Sequence, residues 1–273
     1  MSTVSQNAAA LNILAIVSVP LKSHYMAFRI LFRELAIRGH TVTVVNNYPD
    51  LNPHPNLKFV NISIPIRTAS IPAMSEFELT LHASLHKLLI FLKHFNKGVQ
   101  RVEALCDNLF SNRKMKQFRA NGEKFDVIFV EQFISDCGLV YAATFYDSPI
   151  IGITSHTLLP WAYPRLGIPF DFSSDPFFFT DAGTNPSLFK KVQTFILNFY
   201  MATLGQFLIQ KSVYKVFDKY VPNNMIDIES IAKGKMKMLF VYQHHSVTGS
   251  RLTAPCLLEI AGIHIQKLKP LPN

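Results

Sequence analysis

The feature that most constrains the fold is a repeated alternation of short apolar runs with longer amphipathic stretches. Residues 12–19 carry Ile13, Leu14, Ala15, Ile16 and Val17 and stop at Pro20, the pattern of a parallel strand buried on both faces. Residues 25–37 separate Met26, Ile30, Leu31 and Leu35 from Arg29, Arg33 and Glu34 at helical spacing, and Gly39 stands where such a helix is closed. Residues 41–45 read as a second strand, 57–64 as a third after a Pro/Asn loop, 125–130 as a fourth and 150–154 as a fifth, with a helix between the last two ending near Tyr146. This order predicts an α/β fold, a doubly wound, Rossmann-like parallel sheet with helices on both faces. Further on, 74–118 is helical in pattern with a break or bend near Gly98, and 159–179 is a Pro- and aromatic-rich irregular loop. Residues 187–220 and 224–232 are helical, and 237–242 and 261–265 read as strands.

Composition narrows the function classes. Hydrophobic residues make up 49% of the 273 and charged residues only 16%, so a sizeable core is available and global disorder is excluded. The formal charge of +9 suggests an anionic partner. The densest basic clusters, Arg113-Lys114-Met115-Lys116 and Lys233-Gly234-Lys235-Met236-Lys237, have no interleaved aromatics, which argues against nucleic acid and for a solvated surface or proximity to an anionic membrane. Cys106, Cys137 and Cys256 have no metal spacing and make no disulfide framework. Asn61-Ile62-Ser63 is a glycosylation acceptor by sequence. No segment reads as a spanning helix, and the run 8–20 is too short and lacks basic residues before it, which makes it a strand rather than a signal peptide.

The chemistry candidates follow from the alternation. Ser23-His24 comes directly after the first strand, and Glu131 and Asp136 come after the fourth. The carboxyl edge of a parallel sheet is where ligands bind. A histidine there can accept a proton from a bound hydroxyl, and a carboxylate on its other nitrogen would fix the tautomer and stabilise the imidazolium. The plain alternatives are that His24 is a polar loop residue or helix cap, that Ser135 or Asp136 caps the next helix, and that Glu131 faces solvent at a strand end. His82, His86 and His94 could share a helix face, but no carboxylate accompanies them, so a lining or exposed face is preferred to a metal site. The turn after the first strand lacks the glycines of a dinucleotide-phosphate loop, and no Gly-x-Ser-x-Gly elbow occurs, which argues against nicotinamide or flavin enzymes and α/β-hydrolases.

Several of these stretches together resemble a known family. Asn12-Ile13-Leu14-Ala15, Ser23-His24, Leu35-Ala36-x-Arg38-Gly39-His40-x-Val42-Thr43-Val44 and Phe125-Asp126-Val127-Ile128 resemble the amino-terminal half of UDP-glycosyltransferases. Asp136-Cys137, Pro149-Ile150-Ile151-Gly152-Ile153 and Gly262-Ile263-His264 before a Lys/Pro-rich end are similar to the insect and related animal branch. The resemblance implies the N-terminal domain of a GT-B fold, with an acceptor-binding Rossmann-like domain over 11–266 and the start of an interdomain linker over 267–273. It implies that His24 deprotonates an acceptor hydroxyl, which displaces UDP from the sugar in one inverting step. An acid after the fourth strand orients the base; counting from Phe125-Asp126 favours Glu131, and Asp136 is kept beside it.

Nothing here resembles the family's donor-binding domain, signal peptide or carboxyl-terminal membrane anchor. The expectation is therefore a half enzyme that holds acceptor and base, inactive alone, and that meets UDP-sugar, its co-substrate rather than a cofactor, only with a second domain. No metal or cofactor site is expected. Ser23, Phe91, Trp161 and Phe177 are the candidate acceptor-binding residues for a small lipophilic molecule. The family setting implies detoxification at the lumenal face of the endoplasmic reticulum membrane and association with other transferases. The alternative is a non-catalytic module that binds lipophilic ligands or pairs with full-length transferases.

Overall fold

Seven strands form one sheet in a computed structural model that describes residues 9–63, 85–170, 175, 185–249 and 252–265, with only the backbone of 85–94 and 96. They are β1 (Asn12–Ile16), β2 (Thr41–Asn46), β3 (Leu57–Asn61), β4 (Val127–Glu131), β5 (Ile150–Thr154), β6 (Met236–Val241) and β7 (Leu257–Glu259). Their order is β3-β2-β1-β4-β5-β6-β7, and every pairing is parallel. The helices are α1 (Lys22–Ile37), α2 (Leu85–Ser111), α3 (Arg113–Ala120), α4 (Cys137–Phe145), α5 (Ala162–Arg165), α6 (Leu188–Tyr200), α7 (Gln206–Tyr220), α8 (Ile228–Lys235) and α9 (His245–Thr248). A π-turn, Met201–Gly205, joins α6 to α7.

Strand side chains alternate between faces, so each inner strand feeds two cores. Ile13, Ala15 and Val17 pack with Tyr25, Phe28, Phe32 and Ala36 of α1 on one side. Leu14 and Ile16 pack on the other with Leu109 of α2, Leu139 of α4, Val213 of α7 and Ala232 of α8. Helices therefore cover both faces, and the Rossmann-like parallel sheet is the fold observed. Gly138 lets α4 approach closely, because a Cβ there would meet Val130 Cγ1 at 3.0 Å and Ile16 Cγ2 at 3.4 Å. Gly39 closes α1 at φ 94°: its N–H donates to Ala36 O and that of His40 to Leu35 O, the paired bonds of a Schellman motif.

The topology fixes where a site can form. From β1 the chain moves outward through β2 to β3, then returns to place β4 on the other side of β1. The loops after β1 and β4 diverge there and leave a crevice at the carboxyl edge of the sheet.

Several sequence expectations are corrected. The helix expected to bend near Gly98 runs through it and breaks instead at Asn112, whose side chain accepts the Lys114 N–H and caps α3. No strand forms over 261–265; the strand is Leu257–Glu259, and turns follow it around Gly262 at φ 87°. A short helix, α5, interrupts the loop expected over 159–179. Cys106 of α2 and Cys137 of α4 are joined in a disulfide, with both residues buried. One helical stretch, Leu188–Tyr220, is long and apolar enough to cross a membrane by length and composition, with only 33% of its apolar window buried. Scattered polar residues such as Thr194 and Asn198 hide it from a search for an unbroken apolar run.

Candidate active site

His24 lies in the first turn of α1, directly after the loop from β1. It is not the cap: the cap position is Leu21, whose carbonyl accepts the His24 N–H. The imidazole instead turns under the sheet edge, where its Nδ1–H donates to Glu131 Oε1 at 2.5 Å. The side chains are 11% and 1% exposed. Glu131 is the last residue of β4, the strand beside β1, so the pair bridges the crevice at the point where the loops diverge. Val19 N–H donates to Glu131 Oε2 at 3.2 Å, which ties the carboxylate to the loop that carries the histidine.

A buried carboxylate that only accepts fixes the imidazole proton on Nδ1 and leaves the lone pair on Nε2. Among the described residues Nε2 has no hydrogen-bond partner. A base with one nitrogen anchored and the other open is suited to taking a proton from a bound hydroxyl.

Asp136 is held elsewhere. Arg165 of α5 grips it with two bonds, Nη1–H to Oδ1 at 2.7 Å and Nη2–H to Oδ2 at 2.8 Å. The same guanidinium donates from Nη2 to Glu229 Oε1 at 2.7 Å, and the side-chain amides of Gln206 and Gln210 donate to that oxygen as well. Burial works against the Arg165 charge, but the charges and hydrogen bonds of Asp136 and Glu229 outweigh it and raise its pKa. Asp136 occupies the cap position of α4 without capping it, and Ser135 Oγ accepts the Cys137 N–H instead. The structure thus brings together His24 and Glu131 and sets Asp136 in a separate buried network.

Two aromatic rings complete the surroundings of His24. Phe133 meets it edge-on at 4.5 Å between centroids and contacts His156 at 4.7 Å on the other side. His156 follows β5; its Nδ1–H donates to Thr157 O at 2.7 Å. Burial pushes its pKa down to about 4, with the charge of His24 adding to the effect. It is therefore neutral near pH 7 and does not compete for Glu131.

The expected acceptor-binding residues are dispersed. Ser23 is exposed beside His24. Trp161 is buried with Leu159, Leu197 and Met201, and Phe133 packs against that cluster and contacts His24. Phe91 lies on the backbone of α2 with its side chain outside the described set, and Phe177 lies outside the described residues, as does His82. Side chains of His86 and His94 are likewise outside it. Among the described residues no group of three or more His, Cys, Asp or Glu side chains could hold a metal ion.

His156, Arg165 and the disulfide were not found from sequence. His156 carries the same signal as His24, an imidazole just past a parallel strand. Arg165 sits in a loop pattern that gives no hint of its two carboxylate partners.

A family model described as UDP-glucoronosyl and UDP-glucosyl transferase matches residues 14–273. UDP-glucosyltransferase 2 of Dactylopius coccus is 28% identical over 264 residues, covering 95% of this chain and 49% of that protein. UDP-glucuronosyltransferase 2C1 of Oryctolagus cuniculus is 22% identical over 92% of this chain and 51% of its own length. The chain spans about half the length of the curated relatives it matches. Among solved structures, the glycotransferase of kitacinnamycin superposes with a TM-score of 0.42 at 14% identity, over 93% of this chain and 52% of that one.

Proposed function

Because this chain belongs to the UDP-glucuronosyl and UDP-glucosyl transferase family, we propose that it forms the acceptor-binding half of an inverting UDP-glycosyltransferase of GT-B architecture, with His24 as general base. The observation that carries this reading is the buried His24–Glu131 pair at the switch point of the sheet, with Nε2 open. In the reaction, Nε2 takes the proton of an acceptor hydroxyl. The oxygen bonds to the anomeric carbon of the sugar as the bond to UDP breaks, and UDP leaves with the electron pair. Glu131 stabilises the imidazolium formed. The apolar cluster of Trp161, Leu197 and Met201 behind Phe133 supports a small lipophilic acceptor. The UDP-sugar is assigned to a second domain, in the part of the relatives that this chain does not span.

The buried Cys106–Cys137 bridge supports folding in an oxidising compartment, as the endoplasmic reticulum lumen of the family is. Thiol labelling of the unreduced, denatured chain should modify Cys256 alone.

The decisive experiment supplies this chain with a donor-binding half and compares it with the His24→Ala variant. UDP-sugar binding should persist while transfer disappears, and the chain without a donor half should show no turnover. Transfer that survives in His24→Ala would refute the base. Ligand binding by a wild-type assembly that never transfers sugar would favour a non-catalytic binding module.

A further inference from the structure

The segment from α6 through α7 has two unlike faces. Thr194, Leu197, Asn198, Met201 and Ile209 are buried against the chain. On the opposite side Leu188, Phe189, Val192, Ile196, Leu204 and Phe207 are between 48% and 79% exposed. From Phe189 onward these residues recur at spacings of three, four and eight, and Leu188 lies four before Val192, which places them along one stripe. A continuous exposed apolar stripe of this length marks an interaction surface rather than ordinary surface scatter.

The charge pattern selects the occupant. No charged residue occurs between Lys191 and Lys211, and lysines stand near both ends of the stripe, Lys190 and Lys191 within its first turn and Lys211 after it. The exposed ammonium groups of Lys191 and Lys211 are thus separated by about 30 Å of uncharged helix. A second copy would bring like charges together at both ends, in a chain whose formal charge is already +9. An anionic bilayer offers hydrocarbon to the stripe and phosphate or carboxylate groups to the lysines.

We propose that the outer face of 188–211 docks in the plane of an anionic lipid bilayer. The helix lies on the surface instead of spanning it, because its other face carries Leu197 and Met201 against Trp161 and Leu159. Phe133 packs on the same cluster and contacts His24, so docking places the proposed acceptor site behind the docked helix and that cluster, on the side away from the lipid.

The test needs no transfer reaction, so it stands or falls apart from the glycosyltransferase reading. The 273-residue chain is mixed with vesicles of phosphatidylcholine and phosphatidylserine, and with phosphatidylcholine alone, and sedimented. Wild type should partition onto the anionic vesicles, and Phe189→Glu with Phe207→Glu should lower that partition about tenfold or more. Lys191→Glu with Lys211→Glu should lower it several-fold on anionic vesicles only. A conservative Phe207→Trp variant guards against misfolding of the charged ones: its added emission should shift to the blue when anionic vesicles are present. Absence of wild-type binding, equal partition of the double phenylalanine variant, or an unshifted Phe207→Trp spectrum overturns the proposal. So does a dimer in equilibrium sedimentation that the phenylalanine variant splits, with no vesicle binding; the face would then belong to a second copy.

Discussion

Glu131 and Asp136 leave the same strand-to-helix connection and are equally buried, at 4% exposure, yet their surroundings differ in kind. Glu131 has a histidine and one backbone N–H, and that histidine keeps a nitrogen open among the described residues. Asp136 faces a guanidinium that is itself shared with Glu229, and Gln206 and Gln210 add amide donors to this network. A network that satisfies its own members locks α4, α5, α7 and α8 together and has little capacity left for a substrate. A pair with one open valence can do chemistry. Burial of a carboxylate does not separate the two cases; the saturation of its partner does.

The largest effect that would test this contrast is kinetic. With a donor half supplied, Glu131→Ala should reduce kcat by about 10³–10⁴-fold, the cost of misorienting a catalytic histidine, while urea melts show whether the variant is folded. Asp136→Asn should leave kcat of the folded fraction unchanged; a kinetic loss without a stability loss would exchange the two roles. Next in size, Arg165→Met strands two carboxylates and should lower unfolding stability by about 3–5 kcal/mol, measured by denaturant titration.

Cys106→Ser should cost about 3–4 kcal/mol by freeing the 31-residue separation that the bridge closes. Because Cys137 adjoins Asp136, that loss belongs to the saturated region and should leave the pH–rate profile unmoved. The smallest effect concerns the side of the base. His156 has a folded pKa near 4 against 6.5, so between those values the unfolded chain binds the extra proton. Its contribution is complete above pH 6.5 and is lost as pH falls toward 4, about 3 kcal/mol in all. Stability curves of wild type and His156→Gln should diverge across that window; parallel curves would mean that His156 titrates normally.

The inner part of this architecture was legible because its signals are local. β1, α1 and β2 follow from apolar runs, helical spacing and Gly39, and their order already put His24 at the ligand-binding edge. The partner of His24 was half legible: strand counting pointed to Glu131, but only the parallel pairing of β1 with β4 brings it within 2.5 Å. Elements decided by distant contacts were not legible. Gly98 costs a helix about 1 kcal/mol relative to alanine, too little to break one whose following turns, through Val102 and Cys106, are buried in the core. Asn112 ends it through a side-chain bond that composition does not advertise. The pairing of Cys106 with Cys137 and of Arg165 with Asp136 depends on which helices meet, and no spacing rule encodes that.

The π-turn at Met201–Gly205 has a consequence for how insertions and deletions would act here. A π-turn accommodates one more residue than an α-helical turn, so the helix on either side is held in its own phase. Upstream the phase is set by Leu197 and Met201 against Trp161; downstream it is set by Gln206 and Gln210 on Glu229. Removing Ala202 would convert the π-turn into an ordinary α-helical turn and leave both halves close to their present phase, whereas removing a second residue would force one half to turn by about 100° relative to the other. The wall behind the histidine and the ion network could then no longer both be in register, although no residue of either had been changed.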